Sequence, residues 1–281
     1  VCIICGAVGS LVVGNRMAFF SDALAHCAFA GVTLGVLLSL AIRPTGGIDW
    51  DATIPTVMVA FGILVGLAIV WVREKTGLSN DTVIGVFFAG AVGFGGMMLQ
   101  LLNRNNFIDP ESFLFGNPLA AYEQEIIILA ILALALAMVM IPAFNSWVFG
   151  SFNPTLARSR GIRVRLLNYV FIVVLALIVN LSIKAVGALL INALLVVPAA
   201  TAANLSNNIR HVFWWGVGLS LGAGLIGYWL SSVVLIPLGG GATLELKTGG
   251  TIIMLTVLTF FASLVVRALR DRKTPTLAAA K

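Results

Sequence analysis

Charge is what this sequence has least of: Asp, Glu, Lys and Arg make up 10% of its 281 residues, against 60% hydrophobic residues and a mean hydropathy of +1.06. Soluble domains carry about 25% charged residues, so water cannot be the solvent for most of this chain. That excludes a soluble enzyme, a nucleic-acid binder built on basic charge, and a disordered chain, which requires low hydropathy. Cysteine is sparse too. Cys2, Cys5 and Cys27 all lie in apolar stretches, where a thiol packs as a small hydrophobe, and no disulfide framework is indicated. Cys2 and Cys5 form a C-x-x-C, but without the soluble βαβ pattern that accompanies a redox motif. Nothing has the signature of a nucleophile and its base, which weakens any enzyme reading. A nucleotide site is missing as well. Gly241 to Thr248 comes near the phosphate-binding pattern G-x-x-x-x-G-K-[ST], but Leu246 stands where the second glycine belongs and no strand, loop and helix are expected around it.

What the chain does have is a series of long apolar runs, at about residues 1–14, 18–42, 52–72, 83–102, 126–149, 166–182, 185–203, 212–236 and 251–269. About 20 helical residues cross the hydrocarbon of a bilayer. The expected fold is therefore an all-α, polytopic integral membrane bundle of about 8–9 transmembrane helices, a single transmembrane domain over residues 1–281. The first run reaches only about 21 Å into a core of roughly 30 Å, and the chain opens on Val1, so it reads as a truncated first helix with residues missing before it. The stretch 166–203 fits either two spans or one broken helix pair that does not cross twice.

Position, rather than total, gives the basic residues their meaning. If the spans alternate, one side receives Arg16, Arg73, Lys75, Arg158, Arg160, Arg163, Arg165, Arg210, Arg267, Arg270, Arg272, Lys273 and Lys281, thirteen of the 17 Lys and Arg. The other side holds Arg43, Arg104 and Lys247, with Lys184 in a tight turn between two spans. The basic side is the cytoplasm. The segment 151–165 and the C-terminal tail then lie inside, and the long loop near 103–125 lies outside. Glycine is plentiful at 29 residues, with G-x-x-x-G pairs at Gly31/Gly35, Gly62/Gly66 and Gly218/Gly222, a spacing that lets helix backbones approach closely in lipid.

Polar residues at membrane depth are costly and so informative. An Asp at a helix centre costs roughly 2.5–3.5 kcal/mol on insertion scales and faces a cavity, a partner or a pathway. Asp22 and His26 lie in SDALAHCAFAG, four residues apart, and so share one face of one helix. With Arg16 at the cytoplasmic interface, Asp22 stands about 9 Å in and His26 about 15 Å in. Two readings are open: the pair faces a divalent cation such as zinc, manganese or iron, or the two side chains neutralise one another through a hydrogen bond. Asn180, Lys184 and Asn192 add polarity around the turn between two late spans, where Lys184 can snorkel to the interface. His211 follows Arg210 at a span end and reads as solvated.

The cytoplasmic segment SFNPTLARSRGIRVR, residues 151–165, is punctuated like a short helix. Asn153 is a good N-cap, Pro154 suits the first turn and Gly161 suits the stop, so about two turns are expected between them. Such a helix is too short to stand alone. It reads either as a docking element for a partner or as a basic loop that holds anionic membrane lipid.

Five ordered blocks now bring a family into view: MAFFSDALAHCAFAGVTLG from Met17, DTVIG from Asp81, FGN from Phe115, FNPTLARSRGIRVR from Phe152 and VGALLINALLVVPAATAA from Val186. In that order and spacing the chain resembles the permease subunits of bacterial manganese, zinc and iron ABC importers, over nearly its whole length. The resemblance implies a multi-pass subunit of the bacterial cytoplasmic (inner) membrane, with no bound cofactor of its own and no nucleic-acid partner. It implies a homodimer, two cytoplasmic ATPase subunits that bind the ATP, and an extracellular or periplasmic metal-binding protein. Asp22 and His26 match the family's D-x-x-x-H on a pore-lining helix, so two copies would offer up to four metal ligands. Asn153, Pro154, Ala157, Arg158 and Gly161 fall in the family's coupling helix, which sits in a groove of the ATPase; Asn153 stands where the family usually has Asp. The alternatives are an ion-coupled secondary transporter, which needs carboxylates at depth and related inverted halves, and an ABC permease for a chelated organic substrate, which does not need the Asp22/His26 pair. The identity of the metal is not written in the sequence.

Overall fold

A computed structural model describes residues 1–42, 53–102, 123–152, 154–206, 208–233, 235–238, 242–245 and 247–273. Asn153 and nearly all of the long loop at 103–125 lie outside the described residues. In chain order the helices are α1 (Cys2–Gly14), α2 (Ala18–Ile42), α3 (Thr53–Thr76), α4 (Asn80–Leu102), α5 (Glu123–Phe152), α6 (Pro154–Ser159), α7 (Val164–Val186), α8 (Ala188–Leu205) and α9 (Ile209–Val233). A hairpin of β1 (Leu235–Leu238) and β2 (Ala242–Glu245) follows, and α10 (Thr248–Lys273) closes the described chain. Among the described residues, 8 helices are long and apolar enough to cross a membrane, and α1 is a shorter apolar helix. Helix is the expected form because a lone segment in hydrocarbon must satisfy its own backbone.

The departures from the sequence reading have local causes. α3 continues past its apolar run to Thr76, using Arg73 and Lys75 in its last turn, where cations suit the helix dipole. Ser79 then starts α4, its Oγ accepting the Thr82 N–H at 3.2 Å. The stretch 166–203 resolves into two helices, because Gly187 adopts φ +85°, a conformation that a side chain would resist. The run read as a span to residue 236 stops at Val233. Pro237 lies in β1, which pairs antiparallel with β2, Leu235 opposite Glu245 and Leu238 opposite Ala242. The membrane-spanning elements are all α as expected, and the hairpin adds a feature that hydropathy alone hid.

The chain forms two compact units, one of Val1 and Gly14–Asn192, the other of Cys2–Val13 and Ala193–Lys281. In the first, α2 packs on α3 and α4, while α3 and α5 pack on α7. A Cβ at Gly31 would lie 2.9 Å from Met58 Cα, and one at Gly35 would lie 3.1 Å from Ile54 Cα, so this G-x-x-x-G pair lets α2 and α3 touch backbone to backbone. At the end of α3, Glu74 accepts from Arg165 Nε at 2.6 Å and from the Tyr169 hydroxyl at 3.1 Å, both on α7. These ends therefore lie on one side, as the alternation of basic loops requires.

In the second unit, α1 packs on α9, with Gly6 against Val217, and Ser220 Oγ donates to the Cys2 carbonyl at 2.9 Å. α9 packs on α10, where Gly227 lies against Ile252. The end of α8 meets the end of α10: Arg267 donates to Asn204 Oδ1 at 3.1 Å and Arg270 to the Leu205 carbonyl at 3.3 Å. Gly218 and Gly222, in contrast, have nothing within 4 Å, so this third small-residue pair makes no helix contact within the described chain.

Candidate functional site

Helix α2 places Asp22 and His26 on one face, one turn apart. Their neighbours Ala23, Leu24, Ala25 and Cys27 are buried, while the side chains of His26 and Asp22 remain 31% and 41% exposed. His26 Nε2 stands 3.9 Å from Asp22 Oδ1, beyond hydrogen-bond reach, so the two groups are close without satisfying each other. Asp22 Oδ1 is held instead from α8, whose Asn192 donates Nδ2–H to it at 2.8 Å. The His26 ring meets Phe88 of α4 edge-on, with centroids 4.8 Å apart and planes at 82°. Within the first unit α2 thus supplies the pair, Asn192 in the first turns of α8 orients the carboxylate and α4 backs the imidazole.

An imidazole nitrogen and a carboxylate oxygen suit borderline divalent ions. Among the described residues no group of three or more His, Cys, Asp or Glu gathers to hold a metal. Other polar residues go elsewhere. Asn180 is fully buried on α7, where its Nδ2 donates to the Ala176 carbonyl at 2.7 Å, and the absent side chain of Gly62 makes room for it. Lys184 and His211 are exposed.

The short helix expected within 151–165 forms as α6 and stops at the glycine. α6 ends in a Schellman motif: the Gly161 N–H bonds the Arg158 carbonyl and the Ile162 N–H reaches back to Ala157, both at 3.0 Å, with Gly161 at φ +76°. Ala157 is fully buried and anchors α6 to its own chain, whereas Thr155, Leu156 and Arg158 are exposed. The mounting is firm. The Arg160 guanidinium lies 5.1 Å over the Phe149 ring, and Trp147 Nε1 of α5 donates to the Leu167 carbonyl of α7 at 2.9 Å. The near match to a phosphate-binding loop fails for a structural reason as well: β2 occupies residues 242–245, inside the stretch that would have to curl around a phosphate.

Sequence reasoning singled out the pair, the short helix and the polarity of Asn192, but not the contact of Phe88 with His26 or of Asn192 with Asp22. Phe88 carried no signal beyond a common apolar residue. Asn192 did carry one, as a lone carboxamide in the aliphatic run ALLINALLVV, but its partner lies 170 residues away in the chain.

A model of the ABC 3 transport family matches residues 1–267. The high-affinity zinc uptake system membrane protein ZnuB of Haemophilus influenzae is 30% identical over 219 residues, 78% of this chain and 79% of that protein. The manganese import system permease protein ScaB of Streptococcus parasanguinis is 27% identical over 271 residues, covering 96% of this chain and 88% of that one. Among solved structures, PsaBC from Streptococcus pneumoniae in complex with Fab shares the fold, with TM-score 0.73 and 24% identity over 93% of this chain and 86% of that one.

Proposed function

The chain belongs to the ABC 3 transport family, and from that premise we propose that it is the membrane-spanning permease of an ATP-driven importer for a divalent transition metal ion: manganese, zinc or iron. It is a multi-pass protein of the bacterial cytoplasmic membrane, a transport subunit rather than an enzyme. Residues 1–281 act as one permease domain, with the coupling segment at 151–165 on the cytoplasmic side. Relatives named for zinc uptake and for manganese import support this class of cargo.

One observation carries the reading. Asp22 and His26 lie at membrane depth, side by side, partly exposed and not hydrogen-bonded to each other. A carboxylate left facing lipid would be costly, so this face lines an aqueous path or meets a second copy of the chain. A homodimer joined there offers both residues twice. A path ligand must offset part of the ion's dehydration and still release it, which two strong donors per subunit do and a complete cage would not. A metal-binding protein outside the membrane delivers the ion. Energy arrives from two copies of a separate ATPase, which dock on the exposed side of α6 at Leu156 and Arg158, with Pro154 opening the helix, Ala157 anchoring it and Gly161 ending it; Asn153 completes the segment.

The test is uptake of manganese, zinc and iron by cells that lack their own importers. Asp22→Asn keeps the shape and removes the charge; His26→Ala removes the nitrogen. Each lowers uptake by about tenfold or more, at unchanged expression and ATPase association. Wild-type uptake in the double variant would end the reading.

A further inference from the structure

Asn192 is an unexpected residue for its place. It lies in α8 among aliphatic side chains, where a leucine would favour the helix more. Its Nδ2 donates at 2.8 Å to Asp22 Oδ1, the same oxygen that stands 3.9 Å from His26 Nε2. Its own Oδ1 is buried and has no hydrogen-bond partner. Half of this amide is thus used and half is unsatisfied, and a buried oxygen without a partner costs stability. An apolar residue at position 192 would avoid both the poor helix propensity and the unsatisfied oxygen.

We propose that Asn192 is a third donor to the cargo ion and the positioning residue for Asp22: its N–H fixes the carboxylate, and its Oδ1 completes part of the ion's shell during passage. This rests on the metal-import reading above. Amide bond lengths place Oδ1 no more than about 5 Å from Asp22 Oδ1, and two oxygens sharing an ion at roughly 2.1 Å stand up to about 4 Å apart. A small side-chain rotation therefore lets one ion reach both. A neutral carbonyl oxygen adds a ligand without adding charge, so the ion is held and can still leave. Being a hard donor, it also favours manganese over zinc.

The experiment titrates the purified permease, with its ATPase, with manganese alone, following the loss of the free aquo-manganese signal by electron paramagnetic resonance. Asn192→Leu, close in size and better suited to a helix, removes both donor groups without opening a cavity. It weakens manganese binding by about 10–100-fold and lowers the preference for manganese over zinc, whereas a merely structural role would leave that preference unchanged. Asn192→Gln keeps both an amide N–H and an amide oxygen and recovers most of the binding. The inference is overturned if Asn192→Leu binds manganese as the wild type does, or if Asn192→Gln is no better than Asn192→Leu. Asp22→Asn separates the two levels: wild-type binding there removes the metal reading itself, while loss there with an unaffected Asn192→Leu removes only the role of Asn192.

Discussion

Helices α2 and α5 have opposite fates in the membrane, and the more hydrophobic of the two is the more exposed. α5 carries Ile126, Ile127, Ile128, Ile131, Leu134, Met138 and Ile141 on its open surface, and buries a narrow stripe at Leu132, Leu136, Met140 and Trp147. α2 is built from Ser, Ala, Cys, Gly and Thr alongside its larger residues, and it is mostly buried, including Ser21, Thr33 and Ser39. Lipid tails are as apolar as leucine, so hydrophobicity gives a helix no reason to move inward. Smallness and polarity do, through close backbone approach and interhelical contact. The helix able to hold an Asp and a His is accordingly the central one of its unit.

The largest stability effect expected from this contrast is on α2. Gly31→Leu pushes a branched side chain into the Met58 backbone, already within 2.9 Å of a bare Cβ, and overpacking of that kind costs about 1–3 kcal/mol. A thermal melt of the purified protein in detergent reads it. An intermediate effect lies at the end of α5, which carries α6. Arg158→Glu reverses an exposed charge and lowers ATPase co-purification by roughly tenfold without changing the melt. Ala157→Glu acts differently, since its side chain is buried: it dislodges α6 and lowers both readings. The smallest effect is on the lipid face of α5, where Leu134 is 68% exposed and Leu134→Ala shifts stability by less than about 0.5 kcal/mol. If Leu134→Ala were the more damaging and Gly31→Leu neutral, the contrast between the helices would be wrong.

The same contrast explains what was legible in the sequence. Span count and order followed from hydropathy, because the bilayer imposes a length and forces helix. The Asp22/His26 pair was legible because a helix fixes its geometry over four residues, and α6 was legible because Pro154 and Gly161 mark its ends. The partnership of Asn192 with Asp22 was not, since it depends on how α8 meets α2 rather than on any local pattern. The hairpin was hidden because Leu235, Ile236 and Leu238 continue the apolar run of α9, and period-free hydropathy does not separate strand from helix. Of the three G-x-x-x-G pairs, those on α2 and α3 take part in packing while that on α9 does not; spacing alone cannot say which neighbour is present.

The most direct test of the central claim uses the permease and its ATPase reconstituted in lipid vesicles and supplied with radioactive manganese or zinc on the importer's own metal-binding protein. The measurement is metal accumulated with ATP, compared with metal accumulated under a proton or sodium gradient without it. The account predicts accumulation that requires ATP and the ATPase and is indifferent to the gradient. Accumulation driven by an ion gradient in the absence of the ATPase would contradict it, and would make the chain a secondary transporter.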